Sequence, residues 1–498
     1  MVAYVPPKQA GKYKAVASGA ITNGKAVVVN TDGTVKQAAS SVTISAGLGS
    51  AVTFESASAR PQHGTFDSNS NKVVVTYQDI GNSNYGTAVI GTIDDSDNSI
   101  SFGTPVVFES ATTDGIAAIF DSSNNKVVVV YRDGGNSYYG TAIVGTVSGT
   151  SISFGTATTF WANSNMGDDI DASFDTNVNK VLITFPKVGN DGCAIAGTVS
   201  GTSISFGSEV VFETGQATEQ SVAFDSSNNV HVVTYKDGAN SSYGTACVLS
   251  VASNSVVTAQ TPVVWESAET SYMDIAFDTT NNKFLILFQQ IGLGIYSKAT
   301  GIVGTVSGTS LSFGSKALVY DTGAGAATAI ALVFNDAAGK FVGIYNEGNT
   351  GDNTPGVRYA EGTISGTNVS FTHAQVDSND STDYNDVIFD SNLKRTVLLY
   401  SDSGDSSHGK AIVRATAATY NASTLTSENY IGIASGGTYA DTAEATIDVV
   451  GTVNKDQSGL TAGQTYYVQT DGTLGTSADS PSVVAGTAIS ATELIVKG

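Results

Sequence analysis

Three loops of this chain carry residues able to do recognition chemistry at a repeated spacing: Gln78–Tyr85 (QDIGNSNY), Arg132–Tyr139 (RDGGNSYY) and Lys236–Tyr243 (KDGANSSY). Carboxylate and amide groups bond hydroxyls in fixed directions, and a flat tyrosine ring packs on the apolar face of a sugar. Tyr85, Asp133, Asn136, Tyr138, Tyr139, Asp237 and Tyr243 are therefore candidate ligand-binding residues for a glycan. The same residues also shape a loop without any ligand, since Asp-Gly and Asn suit turns and tyrosine opens the next strand. Duplication copies a turn along with everything else, which favours the scaffold role in any single loop. A longer loop, Asn346–Tyr359 (NEGNTGDNTPGVRY), exceeds what the scaffold needs and adds Glu347, Asp352 and Arg358 to the candidates.

Other constellations point away from catalysis. Asp377–Tyr384 (DSNDSTDY) and Asn163–Asp171 (NSNMGDDID) concentrate carboxylates. Oxygen ligands of that kind can hold calcium, but neither segment has EF-hand spacing, and solvated acidic loops share the composition. His63, His231, His373 and His408 fall in separate parts of the chain, without the close spacing of a zinc site. There is no G-x-S-x-G elbow and no phosphate-binding loop. Arg60, Arg132, Arg358, Arg395 and Arg414 are scattered, whereas a sialidase clusters arginines around its anionic substrate and repeats Asp-box turns. A glycosidase needs only two carboxylates. The expectation is a non-enzymatic protein with no cofactor and no metal.

Composition bounds the elements that must position these residues. Of 498 residues only 14% are charged, the formal charge is −22, and 54 are glycine. Hydrophobic residues make up 41%, many of them Val, Ile, Tyr and Phe, which favours strands and tight turns and excludes a disordered chain. No apolar run approaches the roughly 18 residues that span a bilayer, and no basic cluster exists to track phosphates. Membrane insertion and nucleic acid are thus not expected. The opening MVAYVPPKQAGKYKAVASG lacks the apolar core of a signal peptide. Cys193 and Cys247 fall at different strand positions of adjacent units and are expected to be free thiols, as in a reducing cytoplasm.

An internal repeat decides the expected fold. Phe-Asp followed by a polar turn and a β-branched run begins at Phe66, Phe120, Phe174, Phe224, Phe277 and Phe389, with Phe334-Asn335 as a variant copy, 50 to 57 residues apart. The second unit divides into Ile116–Phe120, Lys126–Arg132, Gly140–Val147 and a fourth segment from Ser151 to near Trp161. Four antiparallel strands per unit match a propeller blade. Ser41–Ser56 has the form of a fourth strand without a unit, and the seventh unit lacks one. Pairing Ser41–Ser56 with Lys410–Ala417 would close a ring and remove exposed sheet edges. The reading is an all-β chain: a seven-bladed β-propeller over residues 41–427, inserted into a small β domain made by residues 1–40 and 428–498. Strand alternation puts both linkers on one face, leaving the loops between second and third strands on the other.

The carboxyl-terminal YIGIASGGTYADTAEATIDVVGTVNKDQSGLTAGQTYYVQTDGTL, ending in AGTAISATELIVKG, resembles terminal modules of virion structural proteins of tailed bacteriophages. SGAITNGKAVVVNTDGTVK near the amino terminus is similar to the partner half of that module. The resemblance implies a tail fibre, spike or capsid decoration on the virion, assembled in the host cytoplasm. Its partners would be other virion proteins, through the terminal β domain, and a host-surface glycan or protein, with the chain present as a homo-oligomer or in several copies. The alternative it leaves is a structural decoration or cement protein without receptor binding. A strongly anionic polysaccharide is a poorer partner, because a charge of −22 repels it.

Overall fold

The computed structural model describes residues 11–163, 166–293, 296–320, 326–348, 356–378, 381–479 and 481–497. Among them the chain is all-β, with only four short 3-10 turns as helical elements. It divides into two compact units, Ser45–Ala417 and a smaller one made of Met1–Ile44 with Ala418–Gly498.

In the larger unit the second repeat shows the plan. The strand Val106–Asp121 leads to Lys126–Asp133, then Tyr139–Ser148, then Ser151–Phe154 and Thr158–Trp161, all antiparallel. The Phe-Asp motif is a turn cap. Asp121 Oδ1 accepts from the Ser123 and Asn124 N–H groups at 2.9 and 3.0 Å, and Asn125 completes the turn at φ 53°. Asp67, Asp175, Asp225, Asp278 and Asp390 do the same. In the sixth repeat Asn335 Oδ1 accepts from Ala338 N–H, so an amide oxygen suffices.

Strand two explains its own continuous apolar run. Val127, Val129 and Tyr131 enter a core shared with the first repeat, whereas Val128 and Val130 enter one shared with the third. Such a core lies between every pair of neighbours, including the seventh repeat and the first. A strand buried on both faces has no polar side to alternate. The glycine of the recurring S-I-S-F-G is a close approach: a Cβ at Gly103 would stand 2.0 Å from the Thr150 carbonyl oxygen of the next repeat.

Among the described residues no sheet closes on itself. Contact between repeats does run full circle: the first strands touch in order from repeat 1 to 7, and that of repeat 7 touches that of repeat 1. Gly47–Leu48 and Val52–Asp67 pair with His408–Ala415, with Leu48 opposite Arg414 and Thr53 opposite Lys410. The expected segment began at Ser41, but Ala39–Ile44 instead pairs with Ala418–Ser423 in the smaller unit. The chain changes unit at Ser45, just before Gly49 passes under the Asn98 carbonyl, where a Cβ would come within 2.0 Å.

The smaller unit holds two five-stranded sheets. One interleaves both ends of the chain, with Ala26 opposite Ile433 and Tyr13 opposite Ile447. Its two Thr-Asp-Gly-Thr segments are matching turns: Asp32 and Asp471 each accept from the N–H and hydroxyl of the threonine two residues on.

Candidate functional site

Counting back from each Phe of the repeat locates a cavity in the larger unit. The residues four and five before it line a space of about 470 Å3. Six repeats contribute the pair: Gly115 with Ile116, Asp169 with Ile170, Glu219 with Gln220, Tyr272 with Met273, Ala329 with Ile330, and Tyr384 with Asn385. His63, Asp168 and Ser271 complete the lining. In four of the six repeats a bulge with a left-handed residue delivers the pair. The ladder between first and second strands slips at Asp114/Ala117, Thr218/Ser221, Ser271/Asp274 and Thr328/Ala331. The bulged residue takes positive φ: Gly115 at 54°, Glu219 at 51°, Tyr272 at 47°, Ala329 at 48°. Glycine adopts this freely, whereas a side chain costs about 1 kcal/mol there. Three repeats bear that cost beside the cavity, and strain of this sort gathers at functional sites.

One residue further on, side chains tie five of the seven first strands to the next repeat. Asp171 accepts from Val222 N–H at 2.8 Å, Asp274 from Leu332 N–H at 2.6 Å, and Asp386 from Gly64 N–H at 2.6 Å. Ser221 Oγ donates to Asp274 at 2.5 Å, and His63 Nδ1 accepts from Ala118 N–H at 3.2 Å. Desolvation pushes Asp171 up to about 6 and Asp274 and Asp386 up to about 7. It pushes Asp169 to about 6 and holds His63 below its ordinary value, against the pull of Asp171. Glu219 accepts from Ser271 Oγ at 3.0 Å and from the Tyr272 N–H. The lining thus combines tyrosine rings with directional acceptors, the chemistry of hydroxyl and amine recognition. Among the described residues, no group of three or more His, Cys, Asp or Glu is placed to hold a metal ion.

None of the described binding candidates from sequence lines this cavity; they lie in or beside the turns between second and third strands. Asp133 Oδ1 accepts from Gly135 N–H at 2.9 Å and Asp237 Oδ1 from Asn240 N–H at 3.0 Å, each capping its own 3-10 turn. Asn136 lies exposed in the first of those turns. Tyr138, at φ 58°, is exposed and lies 4.9 Å under the Arg132 guanidinium. Tyr85, Tyr139 and Tyr243 are half-buried and open their third strands opposite Asp79, Asp133 and Asp237. Glu347 is buried and ion-paired with Arg358. Asp352 lies outside the described residues. Of the two acidic segments, Asp168 and Asp169 from one and Tyr384 from the other reach the cavity. The cavity residues Glu219, Gln220, Tyr272 and Asn385 were missed. Their signal was variation: this pair differs in every repeat while the Phe-Asp turn beside it changes only in the sixth, to Phe334-Asn335.

No family model matches the chain, and no curated protein does. Among solved structures, the crystal structure of AofleA from Arthrobotrys oligospora is similar at 7% identity and a TM-score of 0.42, covering 70% of this chain and 92% of that one. An arginine-to-alanine triple mutant of AofleA gives 7% identity and 0.41 over the same shares. At those TM-scores the likeness decides nothing about this chain. The resemblance to tailed-bacteriophage virion proteins is overturned: no phage family model and no phage protein matches the chain. The virion location and the capsid or tail role that followed from it fall with it.

Proposed function

We propose that the larger unit is a seven-bladed β-propeller, inserted between the halves of the smaller β unit, and that it binds carbohydrate without catalysing a reaction. The ring is supported by the unbroken succession of first-strand contacts and by a shared core between repeats 7 and 1. One observation carries the binding reading: Tyr272 and Tyr384 line the cavity together with Asp168, Glu219, Gln220 and Asn385. Tyrosine rings cover the apolar face of a pyranose while carboxylates and amides take its hydroxyls.

A glycan array probed with the full chain tests this, alongside Tyr272→Gly. Glycine suits the φ of 47° at that position, so the variant removes the ring without straining the backbone. Retention of at least one glycan class, lost in Tyr272→Gly at unchanged melting temperature, is expected. No retention, or retention indifferent to Tyr272→Gly, overturns the reading and leaves the unit a scaffold.

A further inference from the structure

We infer that the cavity takes a sugar carrying a protonated primary amine. This rests on the carbohydrate reading and narrows it to a ligand class.

Charge is the first argument. Asp168, Asp169 and Glu219 line the cavity, and among the described residues no lysine or arginine does. Of the nearby cations, Arg132 and Lys236 are paired with carboxylates, one of them Glu219 itself, while Arg60 keeps its charge. Arg132 donates through Nη2 to Asp114 at 2.8 Å, and Lys236 lies 3.8 Å from Glu219 and 3.6 Å from Glu269. Arg60 stacks at 5.9 Å on the Tyr384 ring and donates to Ser407 Oγ. Beneath the lining stand three further carboxylates, Asp171, Asp274 and Asp386, with His63 as the basic group among them. The site is therefore negative.

Hydrogen-bonding polarity is the second and independent argument. Gln220 is 7% exposed and its Nε2 donates to the Ala217 carbonyl at 3.1 Å, yet its Oε1 has no partner among the described residues. A buried amide oxygen without a donor is costly, and a ligand N–H removes that cost. Backbone conformation agrees. Repeat 2 fills the left-handed position with Gly115, whereas repeat 4 keeps a glutamate there at φ 51°. An acceptor is maintained at this point against local preference. An ammonium group presents three donors and a point charge, and its bonds to carboxylates are roughly twice as strong as neutral ones.

Calorimetry on the full chain at pH 7 tests the inference with three probes: a β-1,4-linked glucosamine dimer, its N-acetylated counterpart, and spermidine. The free amine dimer is expected to bind about tenfold more tightly than the acetylated one, with Glu219→Gln erasing most of that preference. Asp168→Asn is the second variant, since Asp168 is exposed and replaceable without loss of fold. Asp336→Asn, which removes a surface partner of Lys394, is expected to change nothing. Equal binding of the two dimers, still abolished by Tyr272→Gly, overturns the amine inference and leaves carbohydrate binding standing. Spermidine binding as tightly as the amino sugar overturns the sugar part and keeps the ammonium site. Failure of all three probes to bind overturns the inference entirely.

Discussion

Replacing Asp274 by asparagine should alter the pH dependence of stability more than stability at any single pH. The carboxylate accepts from Ser221 Oγ and Ile275 N–H on one oxygen and from Leu332 N–H on the other, and the charges facing it are those of Asp171 and Asp386. Burial raises its pKa from 3.8 to about 7. Between those values the folded protein holds a proton that the unfolded chain has lost. This contribution to stability is therefore complete in acid and disappears as pH rises to about 7. From pH 5 to pH 8 the loss spans about two pH units, or about 3 kcal/mol. Water in the adjoining cavity screens part of it, leaving ~2 kcal/mol. Asparagine does not titrate. It also turns an NH2 against Leu332 N–H or Ser221, costing ~1–3 kcal/mol at every pH. His63, held below its ordinary pKa, works in the opposite direction but equally in both proteins. Urea unfolding of both proteins at pH 5 and pH 8 gives the comparison. The advantage of the parent over Asp274→Asn should shrink by ~2 kcal/mol at the higher pH. A difference that is constant, or that grows with pH, would refute the reasoning.

Three further outcomes follow from the same geometry. Tyr131→Phe removes a bond from the phenol to Glu109 at 3.2 Å and should cost ~1–2 kcal/mol in thermal unfolding without loss of fold, since Phe185 and Phe288 already occupy the equivalent positions. Cys193 and Cys247 are buried and free, with burial pushing both thiols up to about 12, so a maleimide at pH 8 should label neither until the chain is unfolded. Asp133→Ala removes a turn cap and should lower stability by ~1 kcal/mol while leaving sugar binding unchanged; loss of binding would move the site to the loops.

The repeats were legible because the features that define them are local. An aspartate two and three residues before the N–H groups it caps, or a β-branched run buried on both sides, is written in consecutive residues. Glu219 and Tyr272 were not legible in this way. They meet because equivalent positions of different repeats converge, and because a bulge turns each residue out of its ladder. Neither fact shows in the local pattern. The tyrosines and aspartates of the loops were conspicuous because they recur, and the structure engages the Asp133 and Asp237 carboxylates with N–H groups of their own turns.

That contrast bears on where the proposed binding site lies within a repeated scaffold. A position that must satisfy its own repeat is free to vary only where its partners vary too, so Asp121, Asp225 and Asp278 remain the same residue in the same bond. The bulge position is held to one backbone conformation but to no side chain: Gly115, Glu219, Tyr272 and Ala329 all occupy it near φ 50°. Packing alone would settle such a position on glycine, which suffers no penalty there. A carboxylate and an aromatic ring persist at it in adjacent repeats, bonded to each other through the Tyr272 N–H and Glu219. Their side chains line the same cavity, so the departure from glycine accords with the proposed binding site.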